Sequence, residues 1–281
     1  MNPLSLEKFP FSDLTLAQRL ERAEARANAN FIEARAKLFP ASGAAWIEVG
    51  GAFAMFDTPS SPLTQTFGLG VFDTITEVEL ARLEKFFEER NAPVYHEISP
   101  LADASLFALL HARGYEPFEF SSVMYRPIAR TLSLGRTFEA KLSVRPMRAE
   151  EQALHAQVSA EGWREFGEVA DFLLEIGEIN TQRDGVVNFF AHWEDEPIAT
   201  GTLCLSEGVA LLAGACTIPR ARKRGAQSAL LETRLCYAAE QGYDLAMMCA
   251  APGSASQRNA ERNGFRIAYT RIKWRRQKGA C

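Results

Sequence analysis

Two junctions of the same kind divide this chain. Residues 111–115 (HARGY) and residues 261–265 (ERNGF) each carry a glycine followed by an aromatic residue. Each pattern predicts a helix that ends at the glycine, where left-handed backbone stops the helix, and a strand that begins directly afterwards. The predicted elements before each junction also follow one order: strand, helix, strand, helix. The sequence therefore predicts an internal duplication, with two halves of similar plan.

Composition fits a chain of this design. The 281 residues exceed the length of a usual single domain, and 47% hydrophobic with 23% charged residues is an ordinary globular composition. The formal net charge of −4 argues against a surface built to hold nucleic acid. No basic segment leads into an apolar signal-like run, and no apolar run reaches membrane-spanning length. We therefore expect no membrane partner, and the net charge disfavours nucleic acid as a partner.

Cysteine and histidine usage bounds the chemistry further. The five cysteines are scattered and form no C-x-x-C pair, which is typical of free thiols in a reducing compartment and predicts a cytoplasmic location. The four histidines, His96, His111, His155 and His192, have no metal-ligand spacing. We expect no metal site.

The first half begins with a segment, 16–38, that contains neither glycine nor proline and predicts a helix whose start Thr15 and Gln18 cap. The remaining predicted elements of this half are a strand or strand pair at 45–56, a strand at 65–73, a helix at 76–90, a strand at 94–98, a helix at 102–112 and a strand at 116–126. Residues 127–140 read as a linker.

The second half repeats this plan. Its predicted elements are a strand at 142–146, a helical zone at 149–179, strands at 187–194, 198–206 and 209–218, a helix at 225–241, a strand at 244–250, a helix at 254–263 and a strand at 265–275.

The halves differ where a strand leads into the central helix. In the second half Arg222, Lys223 and Arg224 precede Gly225 at the predicted helix start. Cations are unfavourable there because that end of a helix already carries positive partial charge. A bound anion removes the conflict, since free N–H groups and a glycine can cradle a phosphate. In the first half Thr76 and Glu79 form a capping box instead, so only the second half is equipped for an anionic cofactor.

This second junction resembles the GNAT superfamily of N-acetyltransferases. The family signature is a strand, often a proline, Arg-x-x-Gly-x-Gly/Ala opening a helix, and a pair of leucines. Pro219, residues 222–227 (RKRGAQ) and Leu230–Leu231 fill these places, with Gln227 where the family has a small residue. A close approach of a ligand is expected to be hindered near Gln227. The resemblance covers 141–275 and extends weakly over 15–126.

The family's next segment is also recognisable. The predicted strand at 244–250 leads to a helix and to Gly264–Phe265 at a family-like distance. The usual asparagine and tyrosine positions hold Gly253 and Ala260, while Ser256 and Asn259 offer other polar contacts.

The resemblance implies an α/β fold of two tandem GNAT-like domains, each a central mixed, mostly antiparallel sheet flanked by helices. Residues 1–130 would form a degenerate domain without a cofactor loop, and 141–281 would form the domain that binds acyl-CoA. Tandem members with one cofactor-free half are known in the family.

The resemblance also implies where acetyl-CoA would bind. Its pantetheine arm would lie along the strand that ends in Ala215, Cys216 and Thr217, and its pyrophosphate would meet the N–H groups at the helix start. The implied cofactor contacts are Ala215, Cys216, Thr217, Arg222, Lys223, Arg224, Gly225, Ala226, Gln227, Ser228, Ser256 and Asn259.

The implied reaction is attack of an amine on the thioester carbonyl, with acetyl-CoA as acyl donor. A base must remove a proton from the ammonium, and an acid can protonate the thiolate. The family's usual acid is a tyrosine, and Ala260 occupies that position. A free thiol has a pKa of about 8.5, so its thiolate already leaves fairly well. Tyr269 is a weak substitute, since an aromatic residue on a strand more often packs against the sheet.

Candidates for the base are His192, Glu165, Glu168 and Glu207. Trp163 and Phe166 lie in the helical zone where the family places its substrate-facing lid, and they suit an acceptor pocket or the core equally. Cys216 invites a nucleophile interpretation, but no histidine neighbours it in sequence, and a small buried side chain is the better expectation.

Three functions follow. The first is N-acetyl transfer to a small or peptide amine, with the acceptor and the oligomeric state left open. The second is a non-catalytic CoA-binding sensor or scaffold, which Ala260 and Gln227 favour. The third, a nucleic-acid-binding module that uses the basic loop and the tail at 273–278, is weakened by the net charge.

Overall fold

The computed structural model describes residues 9–129, 138–164 and 170–277, which form two compact units. Unit 1 combines Tyr125–Met248 and Arg258–Arg266 with the residues up to Pro10. Unit 2 combines Phe11–Met124, Cys249–Gln257 and the residues from Ile267 onward. Each unit therefore draws on both halves of the sequence.

The helices and strands follow in an order close to that predicted. The helices are α1 (Leu14–Leu38), α2 (Glu77–Glu88), α3 (Ala104–Ala112), α4 (Gln152–Trp163), α5 (Ala170–Thr181), α6 (Ala226–Glu240) and α7 (Ala255–Arg262). The strands are β1 (Ala45–Val49), β2 (Ala52–Phe56), β3 (Gln65–Phe67), β4 (Tyr95–Ile98), β5 (Tyr115–Pro127), β6 (Leu142–Pro146), β7 (Val186–Trp193), β8 (Glu196–Ser206), β9 (Val209–Thr217), β10 (Leu245–Ala250) and β11 (Arg266–Arg276).

Unit 2 contains a mixed sheet in the order β1-β2-β3-β4-β11-β5. β3 and β4 run parallel, whereas β1 with β2, β2 with β3, and β4 with β11 are antiparallel. β2 is buried along its whole length and α1 packs on it, with Leu20 and Ile32 of α1 fully buried. This apolar layer is the core of the unit.

A charged cluster lies inside unit 2. Arg271 of β11 is fully buried, and its guanidinium lies 2.7 Å from Glu21 Oε1 and 2.6 Å from Glu24 Oε2. Glu97 of β4 lies 3.5 Å from the same guanidinium. Burial raises the pKa of Glu21, because the charged form loses its hydration. The cluster joins α1, β4 and the last strand of the chain.

The strands of unit 1 follow one another in the sheet order β10-β9-β8-β7-β6. The pairs β6–β7, β7–β8 and β8–β9 are antiparallel, and β9 runs parallel to β10. α4 and α6 pack on the strands of this sheet. The prediction of mixed, mostly antiparallel sheets flanked by helices is confirmed for both units.

The two glycine–aromatic junctions have the same backbone in their own units. Gly114 and Gly264 adopt φ values of 76° and 82°, and each N–H donates to the carbonyl three residues earlier, His111 or Glu261. Both helices thus end at a left-handed glycine, as the duplication predicted.

Several local predictions need correction. α1 begins at Leu14, and the side chain of Asp13, not Thr15 or Gln18, caps it by accepting from Leu16 N–H. The strand predicted at 65–73 ends at Phe67, because Gly68 and Gly70 have positive φ and turn the chain. The helical zone 149–179 consists of a short turn at 149–151 followed by α4 and α5.

The division into domains at 1–130 and 141–281 rests on the proposed duplication and on the proposed ligand site. It stays a prediction. The compact units exchange segments relative to those contiguous halves, and β11 in particular lies in the sheet of unit 2. No helix in the described ranges has both the length and the apolar character needed to cross a membrane.

Candidate cofactor site

A β-bulge interrupts β9 in the middle of unit 1. The β8–β9 register runs from Ser206↔Val209 to Thr202↔Ala213 and resumes at Thr200↔Cys216, so Gly214 and Ala215 together lie opposite Gly201. Gly214 has φ 57°, which a residue with a Cβ adopts only under strain. The bulge leaves Gly214 exposed, with Ala213 and Ala215 partly exposed, in a strand that is otherwise buried.

The other edge of β9 is paired for only part of its length. The parallel register with β10 covers Leu245↔Val209 to Met247↔Leu211 and stops there. From Leu212 onward this edge pairs with no strand among the described residues, which leaves room for another extended molecule beside it. The bulge and the open edge coincide.

β9 leads into a short exposed loop and then into α6. Pro219–Ala221 form one turn of 3-10 helix, Lys223 and Gly225 have φ values of 68° and 81°, and α6 begins at Ala226. Gly225 is the N-cap residue, and no side chain caps the helix. The N–H groups of the first turn have no intrahelical acceptors, so this end of α6 suits an anion.

Two arginines around this loop have partners within unit 1. The Arg224 guanidinium lies 4.8 Å from the centre of the Trp193 ring, a cation–π distance. Arg220, which sequence reasoning did not single out, contacts Glu161 of α4 and Glu196 of β8. Arg220 therefore fixes the loop to the surrounding elements, while Lys223 is exposed at its tip.

Gln227 occupies the position where a small residue was expected. Its Nε2 donates to Thr217 Oγ1 over 2.9 Å, so the side chain turns back from the first turn of α6 to the end of β9. The expected hindrance near Gln227 stays a prediction. In the structure this side chain links the two elements that flank the loop.

The predicted polar contacts on α7 differ from one another. Within unit 1, Ser228 Oγ donates to Asn259 Oδ1 over 3.3 Å, which connects the first turn of α6 with α7. Ser256 is exposed and belongs to the part of α7 in unit 2. Ala260, at the family's tyrosine position, is fully buried.

Cys216 is a buried thiol on the α4 side of β9. Its Sγ lies 3.2 Å from Thr200 Oγ1 and donates to the Ser159 carbonyl over 3.7 Å. A Cβ on Gly162 would lie 2.5 Å from this sulfur, so α4 approaches β9 closely here. Burial raises the pKa of Cys216, which disfavours the thiolate that a nucleophile requires.

The candidate bases lie in different places. His192 is nearly buried, with Arg145 Nη2 3.5 Å from its Nε2, and burial followed by the Arg145 charge lowers its pKa. Arg145 is held by Glu151, whose pKa hydrogen bonding to Arg145 lowers to about 2. Glu207 lies in the β8–β9 turn, at the end of β9 opposite to the loop. Glu165, Phe166 and Glu168 lie outside the described residues, and Trp163 is the last residue of α4.

Tyr269 lies in unit 2, where its hydroxyl donates to Glu21 Oε1 over 2.8 Å. It is 7% exposed, and burial raises its pKa well above the usual value. A higher pKa makes the phenol a weaker acid. Its surroundings are those of a core aromatic residue, the role that sequence analysis favoured over catalysis.

Comparison with known proteins gives a consistent fold. No family model matches the chain, and no curated protein matches it. Among solved structures, a GCN5-related N-acetyltransferase from Kribbella flavida is similar with a TM-score of 0.67 and 18% identity, over 94% of this chain and 96% of that one.

Two further solved structures agree. A GCN5-related N-acetyltransferase from Sphaerobacter thermophilus has a TM-score of 0.56 at 15% identity, over 80% of this chain and 76% of that one. A tandem GNAT protein from the clavulanic acid biosynthesis pathway has a TM-score of 0.56 at 12% identity, over 81% and 74%. At these identities the likeness establishes the fold. The chain has the fold of the GNAT superfamily of N-acetyltransferases, in its tandem arrangement.

Proposed function

We propose that this protein is an acyl-CoA-dependent N-acyltransferase that transfers acetyl from acetyl-CoA to an amine. The observation that carries the proposal is the continuity of three features in unit 1. A bulged strand with an open edge, an exposed basic loop and an uncapped helix N-terminus follow one another over Ala213–Ser228. An extended arm that ends in phosphates matches that sequence of features.

The groups present suggest a role for each part of the cosubstrate. The open edge of β9 around Ala215–Thr217 would pair with the amides of the pantetheine arm, as an added strand would. The N–H groups of Ala226, Gln227 and Ser228 would bind pyrophosphate oxygens, with Arg222, Lys223 and Arg224 supplying positive charge. The thioester would then lie beside β9, where an amine attacks the carbonyl and the CoA thiolate leaves.

A second candidate function is CoA binding without turnover. The observation that favours it is that Ala260, fully buried, occupies the position of the family's usual acid. Tyr269, the substitute named from the sequence, donates its hydroxyl to Glu21. Both functions share the cofactor site and differ in the presence of an acid and a base.

The test has two stages. Acetyl-CoA at millimolar concentration should raise the melting temperature, because a ligand that binds only the native state stabilises it. Gly225→Glu should abolish that shift by setting a carboxylate at the helix start, whereas Gly225→Ala, with similar backbone strain and no charge, should retain part of it. A wild-type protein without any shift would contradict both CoA functions.

The second stage separates enzyme from sensor. Thiol release from acetyl-CoA is measured with a panel of small amines and amino-terminal peptides. Amine-dependent release that Gly225→Glu removes supports the acyltransferase. Binding without release over the panel supports the sensor.

A further inference from the structure

A buried arginine lies behind the bulge of β9. Arg234 of α6 is 3% exposed, and no carboxylate in the described part of the chain pairs with it. Among the described residues its guanidinium donates to three backbone carbonyls: Nη1 to Thr202 at 2.9 Å and Ala213 at 3.2 Å, and Nε to Leu230 at 3.1 Å. Burial lowers its pKa to about 10, so it still carries its charge at neutral pH.

The two strand carbonyls that accept from Nη1 belong to the last regular pair before the bulge. Thr202 and Ala213 are register partners, and the register shifts directly after them. A bulge interrupts the ladder of backbone hydrogen bonds. A buried carbonyl without a donor costs about 1–3 kcal/mol. Arg234 donates to both carbonyls beside this interruption, which ties α6 to the two strands next to the bulge.

Gly201, which lies opposite the bulge, makes room for this contact. A Cβ at Gly201 would lie 3.1–3.3 Å from the guanidinium atoms of Arg234, tighter than an ordinary contact. The strand thus has a glycine where the arginine packs flat against it. Through Gly201, Thr202 and Ala213, Arg234 joins α6 to both strands at the point where the bulge begins.

We propose that Arg234 is a positioning residue that holds the bulge of β9 in the form that receives the pantetheine arm. The inference rests on the proposed function and extends it to a residue that touches no part of the cosubstrate. Arg234 acts on the strand and not on the loop 222–225, so it should govern binding of the arm and leave binding of the nucleotide end unchanged.

The experiment compares two probes by calorimetry. CoA engages both the strand and the loop, whereas adenosine 3′,5′-bisphosphate carries phosphates but no pantetheine arm. Arg234→Met should weaken CoA binding at least ~10-fold and change the bisphosphate affinity less than ~2-fold. Leu235→Ala, which removes buried volume from the same helix, is the control and should leave the ratio of the two affinities unchanged.

Arg234→Lys serves where the methionine variant does not fold. Lysine keeps a charge and donors but lacks the planar fork, so it should restore part of the CoA affinity. The inference would be overturned if Arg234→Met had the same ratio of CoA affinity to bisphosphate affinity as the wild type, which includes an equal loss of affinity for both probes. Where the methionine variant does not fold, the same criterion applies to Arg234→Lys.

Hydrogen exchange distinguishes failure of the inference from failure of the proposed function. If the wild type binds neither probe, the proposed function fails, and amide exchange still tests Arg234. Amides of β8 and β9 near Gly201 and Gly214 should then exchange faster in Arg234→Lys than in Leu235→Ala, relative to amides of β6 and β7. Equal exchange in the two variants would overturn the role in holding the bulge.

Discussion

The strand–loop–helix junctions of the two units have the same topology but differ in the charge of the loop and in the capping of the helix. In unit 1, β9 runs parallel to its neighbour β10 and leads through an exposed cationic loop to an uncapped helix. In unit 2, β3 runs parallel to its neighbour β4 and leads through residues 68–76 to α2. Thr76 caps α2 by accepting from Glu79 N–H, and Glu79 accepts from Thr76 N–H in return.

The loop in unit 2 packs into its own unit. Leu69, Val71 and Ile75 are buried, and the Phe72 ring lies against Gly51 and Gly68, where an added Cβ would lie 2.8 Å and 2.9 Å from ring atoms respectively. Within unit 2, Arg22 stacks over the Phe72 ring at 4.3 Å. One junction satisfies its helix start with its own side chains and the other leaves it available. The cap on α2 and the lack of a side-chain cap on α6 therefore distinguish two junctions that share one strand–loop–helix order.

The largest expected effect tests the basic loop. Arg222→Glu with Lys223→Glu should weaken CoA binding by ~100-fold or more, because two attractive charges become repulsive next to phosphates. Calorimetry at low and high salt checks this, and higher salt should weaken the wild type as well. Glu77→Lys, the matched change at α2, should leave CoA binding as it is. If the double variant bound CoA as tightly as the wild type, the cations before α6 would not distinguish this junction from the one before α2.

The next effect concerns acid and the buried histidines of the two units. Burial lowers the pKa of His96 in unit 2 to about 3 and that of His155 in unit 1 to about 4. In the unfolded chain each histidine binds a proton near pH 6.5, whereas in the native state it stays neutral. The free energy of unfolding is therefore highest above pH 6.5 and falls as the pH decreases towards the folded pKa. Between pH 6.5 and 4.5 each histidine should lower the free energy of unfolding by roughly 2–3 kcal/mol.

Urea unfolding at several pH values measures this loss. His96→Gln and His155→Gln should each flatten the pH dependence by about one proton. An unchanged slope in either variant would show that the histidine concerned is protonated in the native state.

A smaller effect is expected at the capped helix. Thr76→Ala should lower the free energy of unfolding by about 1 kcal/mol, because the N–H of Glu79 loses its acceptor. Denaturant unfolding measures the loss, and the shift in melting temperature caused by acetyl-CoA should equal that of the wild type. A gain or loss of the CoA shift would mean that the junction in unit 2 takes part in binding.

The smallest effect is expected at Gln227. Gln227→Ala removes the hydrogen bond to Thr217, which should lower the free energy of unfolding by about 0.5–1 kcal/mol. Since the side chain already turns towards β9, the Kd for CoA should change by less than ~3-fold. If calorimetry showed that Gln227→Ala binds CoA more than ~3-fold more tightly than the wild type, the expectation that Gln227 obstructs the ligand would hold.

The features that the sequence predicted well are those with local causes. The Thr76–Glu79 capping box, the left-handed ends at Gly114 and Gly264 and the basic start of α6 depend on residues within a few positions of one another. The cap at Asp13 was missed because Thr15, two residues later, offers an equally good pattern. The early end of β3 followed from Gly68 and Gly70, which the apolar run around them concealed.

The features that the sequence did not predict depend on distant partners. Arg234 follows Leu230 and Leu231 on the buried side of α6, and the two acceptors of its Nη1 lie on strands that are distant in sequence. An isolated glycine within a strand, such as Gly201, indicates that another group packs closely against the strand backbone. The sequence pattern does not identify that group. The exchange of β11 into unit 2 has no local signal, since its sequence reads as a strand in either unit.

The position of β11 has a consequence for how the protein is made. Glu21, Glu24 and Glu97 leave the ribosome long before Arg271, the cation that compensates them in the core of unit 2. Until that strand is synthesised, the residues of unit 2 that come first lack one strand of their sheet and hold uncompensated carboxylates. Pairings so distant in sequence form slowly. Unit 2, though it contains most of the residues before β5, therefore completes its sheet only after β11 has been translated.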